Sequence, residues 1–164
     1  LFREEQVENI TWFFHFDSQP WPETDWNRAI NYYPGDQYID WLAISVYGAQ
    51  TGEDDWHLLS QILDENWSEI SSVSEEKPIA LLEFAVDGSP SLGDQAAWIR
   101  DAFETIQKEK YSRIKAVSWW SERWENYQGN YSDLRVNSSS QALEAYKKAI
   151  RDENFVTKPN YCSK

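Results

Sequence analysis

The sequence predicts an α/β fold in which parallel strands alternate with helices, and three observations favour it. Apolar runs with strand character recur four times along the 164 residues, each followed by a polar loop and a helical segment. The run at residues 40–47 is nearly continuous in apolar character rather than alternating, which is typical of a strand covered on both faces. The chain also lacks the glycine-rich phosphate turns of small open parallel sheets. We therefore predict parallel (β/α) units of a TIM barrel, with four of the eight strands that a closed barrel needs.

The first predicted strand, residues 10–16, is dense in β-branched and aromatic side chains and is expected to be buried. His15 and Asp17 lie at its C-terminal end, where a loop begins. The loop leads to a short helical turn for which Asp25 is the predicted N-cap.

The second predicted strand, residues 40–47, ends at Tyr47, and an acidic segment at residues 53–55 then begins a helix. The apolar residues of this helix fall at helical spacing: Trp56, Leu59, Ile62, Leu63, Trp67 and Ile70. His57 is placed in the same helix.

The third predicted strand, residues 79–84, carries an ionisable group, Glu83, within an otherwise apolar run. Burying an isolated charge is costly, so this carboxylate must be paired, hydrogen-bonded or held at a working site. Pairing with a buried Arg or Lys explains it as well as a functional role does.

The last units are a helix at residues 94–110 and a fourth strand at residues 114–120 that holds Trp119 and Trp120. Consecutive strand residues point to opposite faces, so one of these rings is expected in the core. The remaining segments are a polar, aromatic loop at residues 121–131, a helix at residues 139–152 and an unpatterned tail. We assign residues 1–152 to the half barrel and 153–164 to the tail.

Composition narrows the classes of partner and ligand. With 15 Lys and Arg against 28 Asp and Glu, the net charge of -13 argues against nucleic acid or an anionic membrane surface as the partner. No apolar run is long enough to span a membrane. Cys162 is the sole cysteine and His15 and His57 are the two histidines, so we predict no disulfide framework, no metal site and no cofactor.

The active site of such barrels is built at the C-terminal ends of the strands, where this sequence has Asp17, Tyr47, Glu83 and Trp119. Glycoside hydrolysis uses two carboxyl groups across the scissile bond, and Glu83 is the best candidate for one of the two. Tyr47 is either a donor to that carboxylate or a core tyrosine. For the loop carboxylates Asp17, Glu122 and Glu125, a solvated charge is the ordinary explanation.

Several motifs together resemble the C-terminal half of glycoside hydrolase family 26, a retaining β-mannanase family that also contains lichenases and xylanases. They lie at residues 9–12, 33–41, 45–47, 77–84, 98–103 and 113–119. The resemblance implies that Glu83 is the catalytic nucleophile and that Tyr47 hydrogen-bonds it. It further implies that Trp119 lines the cleavage subsite, and we expect Trp120 and Asp17 to contribute to substrate binding.

The family's acid/base glutamate lies on barrel strand four and has no counterpart in these 164 residues. We therefore expect the chain to be inactive alone and to pair with the missing N-terminal half or with a second copy. The implied parent enzyme hydrolyses a β-1,4-mannan-type polysaccharide outside the cytoplasm. The alternative is a non-catalytic carbohydrate-binding domain that stacks sugars on tryptophan faces.

Overall fold

The computed structural model describes residues 2, 4–156 and 158, so Cys162 lies outside the described residues. Four parallel strands form one sheet in the order β1-β2-β3-β4. The strands are β1 (Phe13–Asp17), β2 (Trp41–Tyr47), β3 (Ile79–Ala85) and β4 (Ile114–Trp119). This order and direction confirm the predicted partial (β/α) barrel.

In the part of the chain that the structure describes, three α-helices cover one face of the sheet. Helix α1 (Leu59–Ser72) joins β2 to β3, α2 (Gln95–Thr105) joins β3 to β4, and α3 (Ser140–Ala149) follows β4. Side-chain oxygens cap two of the N-termini, since Asp94 accepts from the Ala97 amide at 3.0 Å and Ser139 accepts from the Ala142 amide at 3.1 Å. Short 3₁₀ turns lie at Asp25–Asn27, Ala29–Tyr32 and Glu109–Tyr111.

The hydrophobic core lies between the sheet and these helices. Phe84 of β3 is fully buried there and its ring contacts those of Trp98 and Phe103 on α2. The core extends into the tail, because the Phe155 ring packs 5.4 Å from that of Phe103. Residues that alternate with the core residues along each strand face the other way, toward the side that forms the interior of a closed barrel.

A one-residue irregularity in β3 decides which face Glu83 occupies. Ile44 pairs with Leu81, but the next residue of β2, Ser45, pairs with Glu83, so Leu82 is an extra residue in β3. Without it, Glu83 would pair with Val46, which is fully buried in the core. The bulge therefore turns the carboxylate from the helix side to the inner face of the sheet.

Several predictions of local structure were wrong. Strand β1 is an outer strand whose residues alternate between exposed and half-buried, so it is not a buried strand. Trp56 and His57 precede α1 rather than belonging to it, and Asp25 lies inside its 3₁₀ turn, where no side chain provides a cap.

The predicted loop at residues 121–131 instead contributes to a hairpin. Its strands are β5 (Arg123–Glu125) and β6 (Tyr131–Asp133), which pair antiparallel. Among the residues that the structure describes, no helix is both long and apolar enough to cross a membrane.

Candidate active site

Three polar side chains form a row at the C-terminal ends of neighbouring strands. Asp17 pairs with Ser45 and Ser45 pairs with Glu83, so the row crosses β1, β2 and β3 on the inner face. Tyr47 follows Ser45 on the same face of β2. The predicted site residues Asp17, Tyr47 and Glu83 are thus brought together.

Both donors to Glu83 use one oxygen of its carboxylate. Tyr47 donates its phenolic hydrogen to Oε2 at 2.9 Å, and the Ser45 hydroxyl lies 3.3 Å from the same atom. Among residues 2, 4–156 and 158, no hydrogen bond to Oε1 is found. Nor does any described Arg or Lys form an ion pair with Glu83 within 4.0 Å. Pairing with a buried cation from the described part of the chain therefore does not explain this carboxylate.

The Tyr47 phenol is held in its protonated form. Burial raises its pKa most, the hydrogen bond to Glu83 raises it further, and the negative charges of Glu83 and Asp17 add to both effects. Tyr47 therefore remains a hydrogen-bond donor across the physiological pH range.

Asp17 is exposed as a residue, yet its carboxyl group is partly desolvated at the strand end. Desolvation raises the pKa of this carboxyl, and the Glu83 charge raises it slightly more. The Gln19 amide, which donates to Oδ1 at 3.0 Å, and the nearby His15 partly offset the increase. Asp17 is thus a second carboxyl group on the inner face, close enough to Glu83 for the two charges to interact.

The two adjacent tryptophans occupy different environments. The Trp119 ring packs on the helix side against Phe84, Trp98 and Tyr146, and its indole N–H donates to the Leu134 carbonyl at 2.7 Å. This ring therefore lies on the helix side of the sheet, and the role in the cleavage subsite that the resemblance implies for it stays a prediction. The Trp120 amide continues the ladder by donating to the Phe84 carbonyl, and the Trp120 side chain is 40% exposed. Trp120 is the member of the pair that offers a free aromatic face.

The loops that follow β2, β3 and β4 are tied together around the strand ends. The Ser132 hydroxyl of the hairpin donates to the Gln50 carbonyl at 2.6 Å, which joins it to the loop after β2. Buried Asp87, in the loop after β3, accepts from the Asp133 amide at 2.6 Å. Glu125 lies in β5 and Glu122 just before it, and both are exposed, which agrees with the ordinary solvated explanation.

Sequence reasoning missed the part played by Ser45. It lies two residues before Tyr47, and the period of two along a strand would have placed both on the face that carries the site. His15, at the end of its strand, also contacts this serine, since its Nε2 lies 2.9 Å from the Ser45 hydroxyl.

Comparisons with known proteins found a similarity in sequence to an endoglucanase and a similarity in fold to a mannanase. The sequence is 29% identical over 153 residues to Endoglucanase H of Acetivibrio thermocellus, and the match covers 92% of this chain but 16% of that protein. The fold is similar to that of a Cellulomonas fimi endo-β-1,4-mannanase double mutant, with a TM-score of 0.60 and 17% identity. That match covers 93% of this chain and 33% of the mannanase. No protein-family model matches the chain.

The sequence match and the shared fold confirm the predicted resemblance to glycoside hydrolases built on a (β/α) barrel. The structural likeness, at 17% identity, speaks for the fold alone. The chain spans well under two thirds of the length of both proteins, so the assignment to family 26 stays a prediction.

Proposed function

We propose that residues 1–152 are the nucleophile-bearing, C-terminal half of the barrel of a retaining endo-hydrolase that acts on β-1,4-mannan-type polysaccharide. The observation that carries the proposal is the Glu83 carboxylate near the C-terminal end of the parallel strand β3. Tyr47 binds its Oε2 and Ser45 approaches the same oxygen, while no described residue occupies Oε1. A carboxylate nucleophile attacks through one of its oxygens, so an arrangement in which the other oxygen is fixed fits this role.

In the proposed reaction, Oε1 of Glu83 attacks the anomeric carbon and forms a glycosyl ester while the bond to the leaving oxygen breaks. A second carboxyl group protonates that oxygen and then, as a carboxylate, takes a proton from water as the water attacks the same carbon. The ester bond breaks, Glu83 is regenerated and the sugar is released with retained configuration. Tyr47 keeps its proton throughout and orients Oε2.

The second carboxyl group is assigned to the complementary half of the barrel. The resemblance implies a glutamate on strand four, preceded by a histidine. We therefore expect the 164-residue chain alone to turn over mannan slowly or not at all. Trp120 is proposed to stack on a sugar ring and Asp17 to accept hydrogen bonds from sugar hydroxyls.

The complementary half barrel is also the proposed partner of the two outer strands. Among the described residues, β1 and β4 each have a strand neighbour on one side only. A groove of about 460 Å³ runs beside β1, where Phe14 and Phe16 line it, and one of about 560 Å³ runs beside β4, where Ile114 and Val117 line it. The similarity to one third of a mannanase chain supports the remaining barrel units as the occupant.

Size-exclusion chromatography tests this partner. The chain mixed with a polypeptide that supplies four complementary (β/α) units should elute as a 1:1 complex. If the chain elutes as a compact monomer and does not bind the added half, the proposal is overturned. If the chain instead forms a dimer with itself and does not bind the half, the partner of the outer strands is a second copy of the chain.

We further propose that the enzyme acts outside the cytoplasm, because a polymeric glycan does not cross a cell membrane unaided. This location agrees with what the family resemblance implies.

The proposed nucleophile is tested in the polypeptide that carries a complete barrel. Glu83→Gln should lower kcat on soluble mannan by about 10³-fold or more, whereas Glu144→Gln, an exposed carboxylate on α3, should have no effect. A 2-deoxy-2-fluoro mannoside should trap a covalent adduct that peptide mapping places on Glu83. An adduct on another residue, or full activity of Glu83→Gln, would rule out this role. Mannooligosaccharide binding without hydrolysis by any form would favour the carbohydrate-binding domain.

A further inference from the structure

His15, on the outer strand β1, reaches the site through a single intermediate side chain. Its Nε2 lies 2.9 Å from Oγ of Ser45, and that oxygen lies 3.3 Å from Oε2 of Glu83. His15 pairs with Ala43, so Ser45, two residues further along β2, is its diagonal neighbour on the same face. The mechanism proposed above assigns no role to this histidine.

The single hydrogen of the Ser45 hydroxyl decides what this contact does. An ionised carboxylate accepts hydrogen bonds and donates none, so Ser45 stabilises Glu83 only when its hydrogen points at Oε2. A histidine whose Nε2 carries no hydrogen would accept the serine hydrogen itself. The lone pairs of the serine oxygen would then face the carboxylate. A histidine that carries hydrogen on Nε2 donates to Oγ and directs the serine hydrogen toward Glu83.

We propose that His15 is a positioning residue that acts through Ser45, with its Nε2–H donating to Oγ so that the serine hydroxyl donates to Oε2 of Glu83. The effect of His15 on catalysis rests on the proposed function of Glu83. The hydrogen-bond chain from His15 to Glu83 does not depend on that function. Two donors on one oxygen, Tyr47 and Ser45, then fix the plane of the carboxylate and leave Oε1 toward the substrate.

The chain of donors fits the surroundings of His15. Asp17, two residues along the same strand, has its Oδ1 engaged by the Gln19 amide at 3.0 Å. Ser45 is half-buried between its neighbours, while His15 is exposed. Ser45 is thus the side chain through which His15 is coupled to Glu83.

Nuclear magnetic resonance tests the hydrogen-bond chain without any turnover. The protein has two histidines, so His57→Gln leaves His15 as the sole imidazole in ¹⁵N spectra. Neutral His15 should carry hydrogen on Nε2, and a Nδ1–H form would overturn the proposal. The ¹³Cδ resonance of Glu83 should move when His15→Leu is introduced, and the change should be smaller when Ser45→Ala is already present. Equal changes in the two backgrounds would show that His15 does not act through Ser45.

Kinetics of the complete enzyme test the catalytic consequence. Ser45→Ala and His15→Leu should each lower kcat about tenfold with KM unchanged, the effect expected for one hydrogen bond to a charged group. The double variant should be no slower than Ser45→Ala, and Ser45→Thr should retain most activity because it keeps the hydroxyl. Additive losses would overturn the positioning role. If no form hydrolyses glycan, the proposed function fails while the resonance experiment still decides the hydrogen-bond chain.

Discussion

The phenol of Tyr47 and the carboxylate of Glu83 belong to adjacent parallel strands and meet at one oxygen, Oε2, over 2.9 Å. The bond depends on the bulge at Leu82, because that extra residue brings Glu83 onto the face that carries Tyr47. Sequence distance does not reveal the contact, since 36 residues separate its two members.

Removing the phenolic hydroxyl should therefore impair catalysis more than folding. Tyr47→Phe leaves Oε2 with the longer bond to Ser45, so we expect kcat of the complete enzyme to fall by about 10- to 100-fold. The matched control is Tyr127→Phe, which removes an exposed hydroxyl that donates to Glu53 in the loop after β2. Steady-state kinetics on soluble mannan provide the measurement. Equal losses in the two variants would contradict a specific role for Tyr47.

Much of the fold follows from the sequence because each strand is a strong apolar run with a clear end. Glu83 could be singled out since a carboxylate in such a run is conspicuous. Its orientation could not be predicted, because IALLEFA carries no mark of the extra residue that reverses its face. The irregularity is seen in the register of β3 with both β2 and β4, and that register joins residues far apart in the sequence.

Other differences have local physical causes. Trp56 fits the helical period of α1 but lies before the helix begins. Its ring packs directly on Gly93, so closely that a Cβ atom at position 93 would lie 2.4 Å from the ring. Strands β5 and β6 have three residues each, too few for a pattern to emerge from a polar segment. Strand β1 was expected to be buried, but a strand at the edge of a four-stranded sheet keeps one side open.

The adjacent tryptophans should respond differently to truncation. Trp119→Ala should cost about 3 to 5 kcal/mol of unfolding free energy, because its ring fills the space between Phe84, Trp98 and Tyr146. Trp120→Ala should change stability little but weaken mannooligosaccharide binding to the complete enzyme by about 2 kcal/mol, roughly 30-fold. Urea unfolding and calorimetry measure the two effects. Unchanged affinity in Trp120→Ala would remove this residue from the proposed subsite.

The raised pKa of Asp17 predicts a pH-dependent penalty on stability. Above the unfolded-state value of 3.8, the folded chain retains this proton longer than the unfolded chain does. The free energy of unfolding therefore falls as pH rises from 3.8 through the raised folded-state pKa, and the loss persists at higher pH. Asp17→Asn, which still offers an oxygen to the Gln19 amide, should thus be more stable than the native chain at about pH 7.

The stability difference between Asp17→Asn and the native chain should shrink as the pH is lowered toward about 4, because the native carboxyl then becomes neutral. Urea denaturation at the two pH values measures it. The control is Asp55→Asn, which removes the same unit of charge from an exposed loop carboxylate. A difference that grows at low pH would contradict the direction of the Asp17 shift.

Asp87 should be needed to hold the hairpin over the strand ends. Its two oxygens accept from the amides of Ser89 and Asp133, both at 2.6 Å, and the side chain is 1% exposed. Asp87→Asn offers one acceptor and turns an amide donor toward the other N–H, so we expect a loss of about 1 to 3 kcal/mol in unfolding free energy. Faster hydrogen exchange at the Asp133 amide should accompany it, since that bond ties β6 to the loop after β3. Asp94→Asn keeps the oxygen that caps α2 and loses only an exposed ion pair with Arg100, so it should cost about 0.5 kcal/mol or less. Equal losses of unfolding free energy in the two variants would contradict a specific role for Asp87 in fixing the hairpin.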